Sequence, residues 1–454
     1  MSFPRYPKYK ASGVEWLGEV PQHWEIGRVK HYFRTCSGGT PNTSQQELYY
    51  ADESGIPWVR TTDLQNDVLR SVEVFITEQA LSDTACAVLP PGTVMVAMYG
   101  GDGTVGKNGL LAIPAAINQA VCGLLPSTTH QSEYAFRFMQ FYRPHWMIEA
   151  ESSRKDPNIS QERVRNAVFP KPPLAEQTLI ASFLDRETSK IDGLVGEQRR
   201  LIELLKEKRQ AVISHAVTKG LNPHAPLKPS GIEWLGEIPE HWRIRKIKQL
   251  CYVNDGNHGE EYPSEDDYTT ESDGVPFIRG GNLQNLTISS ENMLYITQAK
   301  NASMRKGNVH TNDILFMNRG EIGKLAMIPS EFNGANLNSQ IAYLRTGDDI
   351  YSRFLLYFLC SRNLGNLIES MKAGSVLTQF PIRDINNIHV PLPPKSEQHE
   401  IANSLDQRTR LFDELTAEAE RGIELLQERR TALISAAVTG QIDVRGLVVT
   451  EAAS

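Results

Sequence analysis

The closest approach to a catalytic motif in this chain is Gly101-Asp-Gly-Thr-Val-Gly106-Lys107-Asn108. Its spacing matches a phosphate-cradling loop, in which backbone N–H groups hold phosphates and a lysine meets their charge. The chemistry fails at Asn108, where a Ser or Thr hydroxyl is needed to hold magnesium. A later stretch, Arg319-Gly-Glu-Ile-Gly323-Lys324, keeps only a Gly-x-x-Gly-Lys core and is too short for a cradle. Both read as tight turns after a strand that present a lysine. The eleven histidines form no H-E-x-x-H or similar ligand pair. His23 and His241 stand beside Trp24 and Trp242 at matching positions, which suits satisfied structural histidines packing on a ring. No N-P-P-Y/F motif, glycine-rich S-adenosylmethionine loop, G-x-S-x-G or nuclease-type P-D…(D/E)-x-K set stands out. The chemistry that remains is recognition by polar side chains, not bond making.

The elements that must position those side chains come in duplicate. Ser12–Trp24 reads SGVEWLGEVPQHW and Ser230–Trp242 reads SGIEWLGEIPEHW, identical at ten of thirteen positions. Ile202–Thr218 (IELLKEKRQAVISHAVT) and Ile423–Thr439 (IELLQERRTALISAAVT) agree at twelve of seventeen. A duplication of this size predicts two similar bodies related by a pseudo-twofold axis, suited to a two-part target. Between the repeats lie variable bodies, rich in short β-like runs such as Val94–Met98 and Ile314–Met317 among Gly, Asn, Asp and Pro turns. Helices are expected near Tyr134–Arg143 and Tyr351–Ser361. The bodies still align: Gly55-Ile-Pro-Trp-Val-Arg60 with Gly274-Val-Pro-Phe-Ile-Arg279, and Asn118-Gln119 with Asn338…Gln340. A shared framework with different filling suits two readers of different texts, or plain drift after duplication.

Each body ends in a proline stop, at Pro170–Pro173 and Pro391–Pro394, and a long helical pattern follows over roughly Leu174–Val217 and Lys395–Val438. Proline ahead of the helix, Glu176 or Glu397 in its first turn and Gly220 or Gly440 after it are start and stop signals. Ile191, Val195, Ile202, Leu205 and Val212 keep a three-four spacing in the first copy. Phe412, Ile423, Leu426 and Leu433 do so in the second. At 1.5 Å per residue each helix spans roughly 66 Å, more than one body needs. The preferred reading is an antiparallel pair spacing the two bodies; the alternative is that each helix packs only on its own body. The fold class is therefore α+β, two β-rich α/β domains separated by two long antiparallel helices.

At 454 residues the chain needs two to four domains, and 40% hydrophobic with 22% charged residues is ordinary for a globular protein. No apolar run predicts a membrane span or a secretory leader, and five scattered cysteines read as reduced, mostly buried thiols of a cytoplasmic protein. The net charge of −7 argues against indiscriminate nucleic-acid binding. Residues 1–171 carry 16 basic and 17 acidic side chains, and residues 222–392 carry 16 and 19. Any DNA-binding face must therefore arise from local segregation of charge.

The lead W-L-G-E-[VI]-P-x-H-W, the exit P-P-x-x-E-Q at Pro172–Gln177 and Pro393–Gln398, and the paired long helices together resemble the specificity subunit of type I restriction-modification systems. The resemblance covers nearly the whole chain, and each signature occurs twice. It implies target-recognition domains at 1–171 and 222–392, helical spacers at 172–221 and 393–442, and a tail at 443–454. Each domain would read one half of a bipartite, asymmetric site in double-stranded DNA. The helices would set the gap and dock two methyltransferase subunits, which carry S-adenosylmethionine and the adenine chemistry. A motor-nuclease subunit using ATP and magnesium would join for cleavage. This chain would be non-catalytic, with no cofactor or metal of its own.

Arg pairs with guanine, and Asn or Gln with adenine, at major-groove edges, while phosphate contacts fix register. Candidate DNA-binding residues on expected loops are Arg60, Gln65, Lys107, Asn118 and Gln119 in the first body, and Arg279, Gln284, Arg319, Lys324 and Gln340 in the second. The resemblance adds, by position, the loop before each proline exit: Arg154, Lys155, Asn158 and Ser160, then Lys372, Ser375 and Thr378. Arg60 and Arg279 occur in both bodies, which fits a phosphate contact or a structural ion pair better than base reading. Rival readings are a duplicated scaffold displaying two ligand-binding domains without DNA, and a DNA enzyme with an unfamiliar site.

Overall fold

The strand Val94–Ala97 organises the first body, because it is buried on both faces and VMVA is apolar throughout. Val94 and Val96 pack with Leu110, Cys122 and Leu124 into a core shared with Phe138, Met139 and Trp146 of the helix Ser132–Glu151. Met95 and Ala97 point the opposite way, into a smaller core with Val59, Leu64 and Ile117. The strand is central in a five-stranded sheet ordered Thr35–Ser37, Val121–Leu124, Val94–Ala97, Asn108–Leu111, Asp67–Leu69. A second five-stranded sheet runs Tyr50–Ala51, Phe75–Ile76, Ile56–Val59, Ala115–Ile117, Val88–Leu89. The helix expected to end at Arg143 continues through Pro144 to Glu151, with Trp146 buried in the core to hold the turn beyond the proline.

The second body repeats this plan. Ile314 and Phe316 pack with Leu344 against Phe354, Leu355 and Phe358 of the helix Ser352–Leu359. Leu315 and Met317 face a second core with Ile278, Leu337 and Ile341. Its two main sheets have four strands each, one centred on Ile314–Met317 and Ile341–Thr346, the other on Gly274–Ile278 and Leu294–Thr297. The computed structural model describes residues 3–100, 103–151, 158–372 and 379–447. Among them no helix is long and apolar enough to cross a membrane. Of the five free cysteines, Cys86 and Cys122 are buried and three are half-buried, fewer than the composition suggested.

Two helices tower over the rest in length, Leu174–Lys219 and Lys395–Val438, of 46 and 44 residues. The chain divides into two units, one of residues 1–198 with 421–454 and one of 199–420, so each helix passes from one unit into the other. In the first unit Ile191 and Val195 share a core with Leu433, Ile434 and Val438, and Ile423 and Leu426 pack against it. In the second unit Ile213 and Val217 share a core with Ile401 and Leu405, with Val212 against it. The alternative that each helix packs on its own body alone is thereby corrected: the second half of each is core in the other copy's unit. Asp192–Arg430 (2.9 Å) in the first unit and Arg209–Asp413 (3.3 Å) in the second keep one antiparallel register. Arg209 lies as far after Asp192 as Asp413 lies before Arg430.

Candidate nucleic-acid interface

The doubled lead is a clasp around the start of the helix that follows its own body. Glu176 Oε1 accepts from Trp24 Nε1 (2.9 Å) and from the Tyr6 hydroxyl, while Oε2 meets His23 Nε2 at 2.7 Å. Glu397 Oε2 does the same for Trp242 Nε1 (3.1 Å) and His241 Nε2 (2.8 Å). Burial, then the Glu176 carboxylate, push the Tyr6 hydroxyl far above its ordinary range, so it remains a donor. The neighbouring glutamine completes each exit motif. Gln177 donates to Pro172 O (2.8 Å) and accepts from Gln131 N (2.9 Å); Gln398 donates to Pro393 O (3.0 Å) and accepts from Tyr351 N (2.7 Å). Each clasp also meets the end of the other long helix. A Cβ on Gly440 would lie 2.3 Å from Pro21, and one on Gly220 would lie 3.4 Å from Trp242. Trp24 and Trp242 are fully buried, whereas Trp16 and Trp234 are only partly so. His23 and His241 are half-exposed, structural in role but at the rim of the core.

Backbone hydrogen bonds gather the strand ends of the first body at one end. Asn118 N donates to Val59 O (2.9 Å), Met98 N to Ala120 O (2.8 Å) and Ile159 N to Met98 O (2.8 Å). The second body matches: Asn338 N to Ile278 O (2.9 Å), Asn318 N to Gln340 O (3.0 Å) and Phe380 N to Asn318 O (2.7 Å). Arg60, Asn118, Gln119, Asn158 and Ser160 are therefore together in one body, and Arg279, Arg319 and Gln340 in the other. Gln65 and Lys107 form a separate pair, 3.3 Å apart, beside the strand pairing of Asn66 and Asn108. Gln284 and Lys324 lie at a groove of about 910 Å³ along the helices of their own unit, with Leu205, Arg209, Asp413 and Glu420. Arg154, Lys155, Ser375 and Thr378 lie outside the described residues, as does the side chain of Lys372.

What the candidates touch separates them further. Arg60 is held by Asp63 (3.0 Å) and Glu73 (3.2 Å), and Arg279 donates to Asn292 O (2.7 Å). Asn118 and Asn338 accept from Ala120 N (3.0 Å) and Gln340 N (2.7 Å) through their own side chains. Gln65 and Gln284 donate to Thr62 O and Gly281 O, Lys324 pairs with Glu321, and Ser160 caps the helix Gln161–Asn166. Gln119 and Gln340 are exposed and Arg319 is half-exposed, with no side-chain partner among the described residues. The seam residues Ile191, Val195, Ile202 and Leu433 are buried, and Leu205, Val212, Phe412, Ile423 and Leu426 are partly covered within their own units. Leu194, Leu204, Leu415 and Leu425, none of them among the residues expected from the sequence, are exposed by 53%, 52%, 39% and 66%. The signal was present, since Leu194 matches Leu415 and Leu204 matches Leu425 in the repeat. Among the described residues no group of three or more His, Cys, Asp or Glu could hold a metal ion.

The model of the type I restriction modification DNA specificity domain matches residues 21–203 and again residues 239–425. The chain is 23% identical to the putative type I restriction enzyme MjaX specificity subunit of Methanocaldococcus jannaschii, over 94% of this chain and 96% of that one. It is 25% identical to the EcoBI specificity subunit of Escherichia coli, over 72% of this chain and 70% of that one. Two solved structures share the fold. One is a chain from work on complex assembly and conformational transition of the type I R-M system, with a TM-score of 0.72, 16% identity and coverage of 92% and 98%. The other is the HsdS subunit of Thermoanaerobacter tengcongensis, with a TM-score of 0.53, 18% identity and coverage of 93% and 98%. A doubled clasp, a doubled body and a doubled family match lead to one conclusion: the chain belongs to the type I restriction-modification DNA specificity family.

Proposed function

We propose that each body, residues 1–171 and 222–392, reads one half of a bipartite DNA site through the end where its strand termini meet. The observation that carries this is the division within each end. Side chains common to both bodies, such as Arg60 and Arg279, are spent on local structure, while the backbone bonds place exposed Gln119 opposite Ser339 of the other copy, exposed Gln340 opposite Ala120 and half-exposed Arg319 opposite Tyr99. Two readers of different half-sites require that division. The helices, residues 172–221 and 393–442, serve as the spacer and carry the matched outward leucines Leu194 and Leu204, Leu415 and Leu425. Paired exposed leucines on a repeat fit two copies of one partner, the methyltransferase subunit. S-adenosylmethionine and adenine chemistry belong to that partner, and ATP-driven cleavage to a motor-nuclease subunit. The test is co-expression with the cognate methyltransferase followed by long-read mapping of methylated adenines. A motif of two specified blocks around an unspecified gap supports the reading; a single continuous block refutes it.

A further inference from the structure

One turn occupies the same place in both bodies and differs in every side chain around its glycine. Ser37-Gly38-Gly39-Thr40 in the first matches Asp255-Gly256-Asn257-His258 in the second. The glycine is fixed by close approach: a Cβ on Gly38 would lie 1.6 Å from Ile117 O, and one on Gly256 would lie 2.4 Å from Leu337 O. Those carbonyls belong to the strands leading into Asn118 and Asn338, so both turns sit at the reading ends. In the first body the turn is tied down by Trp58 Nε1 and Cys86 Sγ, each 3.2 Å from Gly39 O. In the second it carries a polar cluster instead. Asp255, 9% exposed, holds His258 Nε2 at 2.9 Å and also pairs with Lys306. Asn257 is fully buried, donates to Lys306 O, and its Oδ1 has no partner among the described residues. Tyr262, four residues after His258, accepts from Asn338 Nδ2 at 3.2 Å.

From this geometry we infer that His258 is a specificity-determining residue of the second body, oriented by Asp255, and that it contacts a base edge in the half-site this body reads. The inference rests on the DNA-reading function proposed above. A buried carboxylate is costly unless paired, and here its two partners are the side chains it orients toward the rim of the reading end. His258 keeps 36% of its side chain exposed. In the neutral ring with Nε2 donating to Asp255, Nδ1 is the acceptor, suited to the exocyclic amino group of adenine or cytosine in the major groove. Asp255 is a positioning residue and does not touch DNA.

The test uses the full chain assembled with its methyltransferase and reads methylated adenines genome-wide. His258→Ala should leave complex assembly and one half-site unchanged. In the other half-site a single position should lose at least fivefold of its base discrimination, the lower end of what a good base-edge contact confers. Asp255→Asn should relax the same position, and His258→Gln, which keeps an acceptor, should restore part of it. A motif from His258→Ala identical at every position to that of the unaltered chain overturns the inference, whether or not Asp255→Asn assembles. If the unaltered chain directs no bipartite methylation, the functional reading itself has failed. Loss at that position in His258→Ala with Asp255→Asn unchanged would uphold His258 as the reading residue and overturn the positioning role of Asp255.

Discussion

Glu176 and Glu397 do the same job in two settings, and the settings predict different energies. Glu176 is 6% exposed and carries two buried donors, Trp24 and Tyr6, besides His23. Removing it strands both, so Glu176→Ala should cost about 3 kcal/mol, the range for leaving buried groups unpaired. Glu397 is 25% exposed and holds Trp242 and a half-exposed His241, so water softens its loss. Glu397→Ala should cost about 1–2 kcal/mol. Urea unfolding followed by tryptophan fluorescence measures both, and equal losses would contradict the clasp geometry. The partnership was half legible. The doubled His-Trp and the doubled Glu-Gln stood out as repeats, but nothing local says that residue 24 meets residue 176. That contact joins residues 152 apart in sequence and is closed by the fold of the body between them. The Asp255 cluster was invisible for the opposite reason, since it lies where the copies do not agree and no repeat points to it.

At the scale of elements, the long helices were the most legible part of the chain. Their starts at Leu174 and Lys395 follow from the prolines, and the glycines Gly220 and Gly440, both at φ +77°, close them. The strands Val94–Ala97 and Ile314–Met317 were legible because a run buried on both faces must be apolar throughout. Periodicity identified the buried stripe of the helices but not what covers it. It is the other copy's helix and body core, which leaves Leu204 and Leu425 outward. Leu204→Asp or Leu425→Asp should leave the fold intact, being exposed, and each should remove one methyltransferase copy from the complex. The double variant should remove both, as weighed by analytical ultracentrifugation. Retention of both copies by the double variant would rule out these positions as the docking surface. Ile202→Asp, by contrast, buries a charge in the seam and should unfold the helix pair.

For the molecule as a whole, partners that supply much of the phosphate contact allow a chain with an overall charge of −7 to take part in DNA recognition. The chain alone should therefore bind its site weakly and gain affinity on assembly with the methyltransferase, in a fluorescence-anisotropy titration at fixed salt. Doubling explains both the sameness and the difference along the chain. Clasps, seam and exit motifs are shared because they build one scaffold twice, and the proposed function accounts for the divergence of the reading ends by giving each a separate half-site. The most direct test is exchange of one body. Residues 243–390 are replaced by the corresponding segment of a relative with a known different motif, and methylated adenines are mapped in a host carrying the cognate methyltransferase. The account predicts that one half-site changes to the donor's while the other half-site and the gap stay as they were. A change in both half-sites, or in neither, would contradict it.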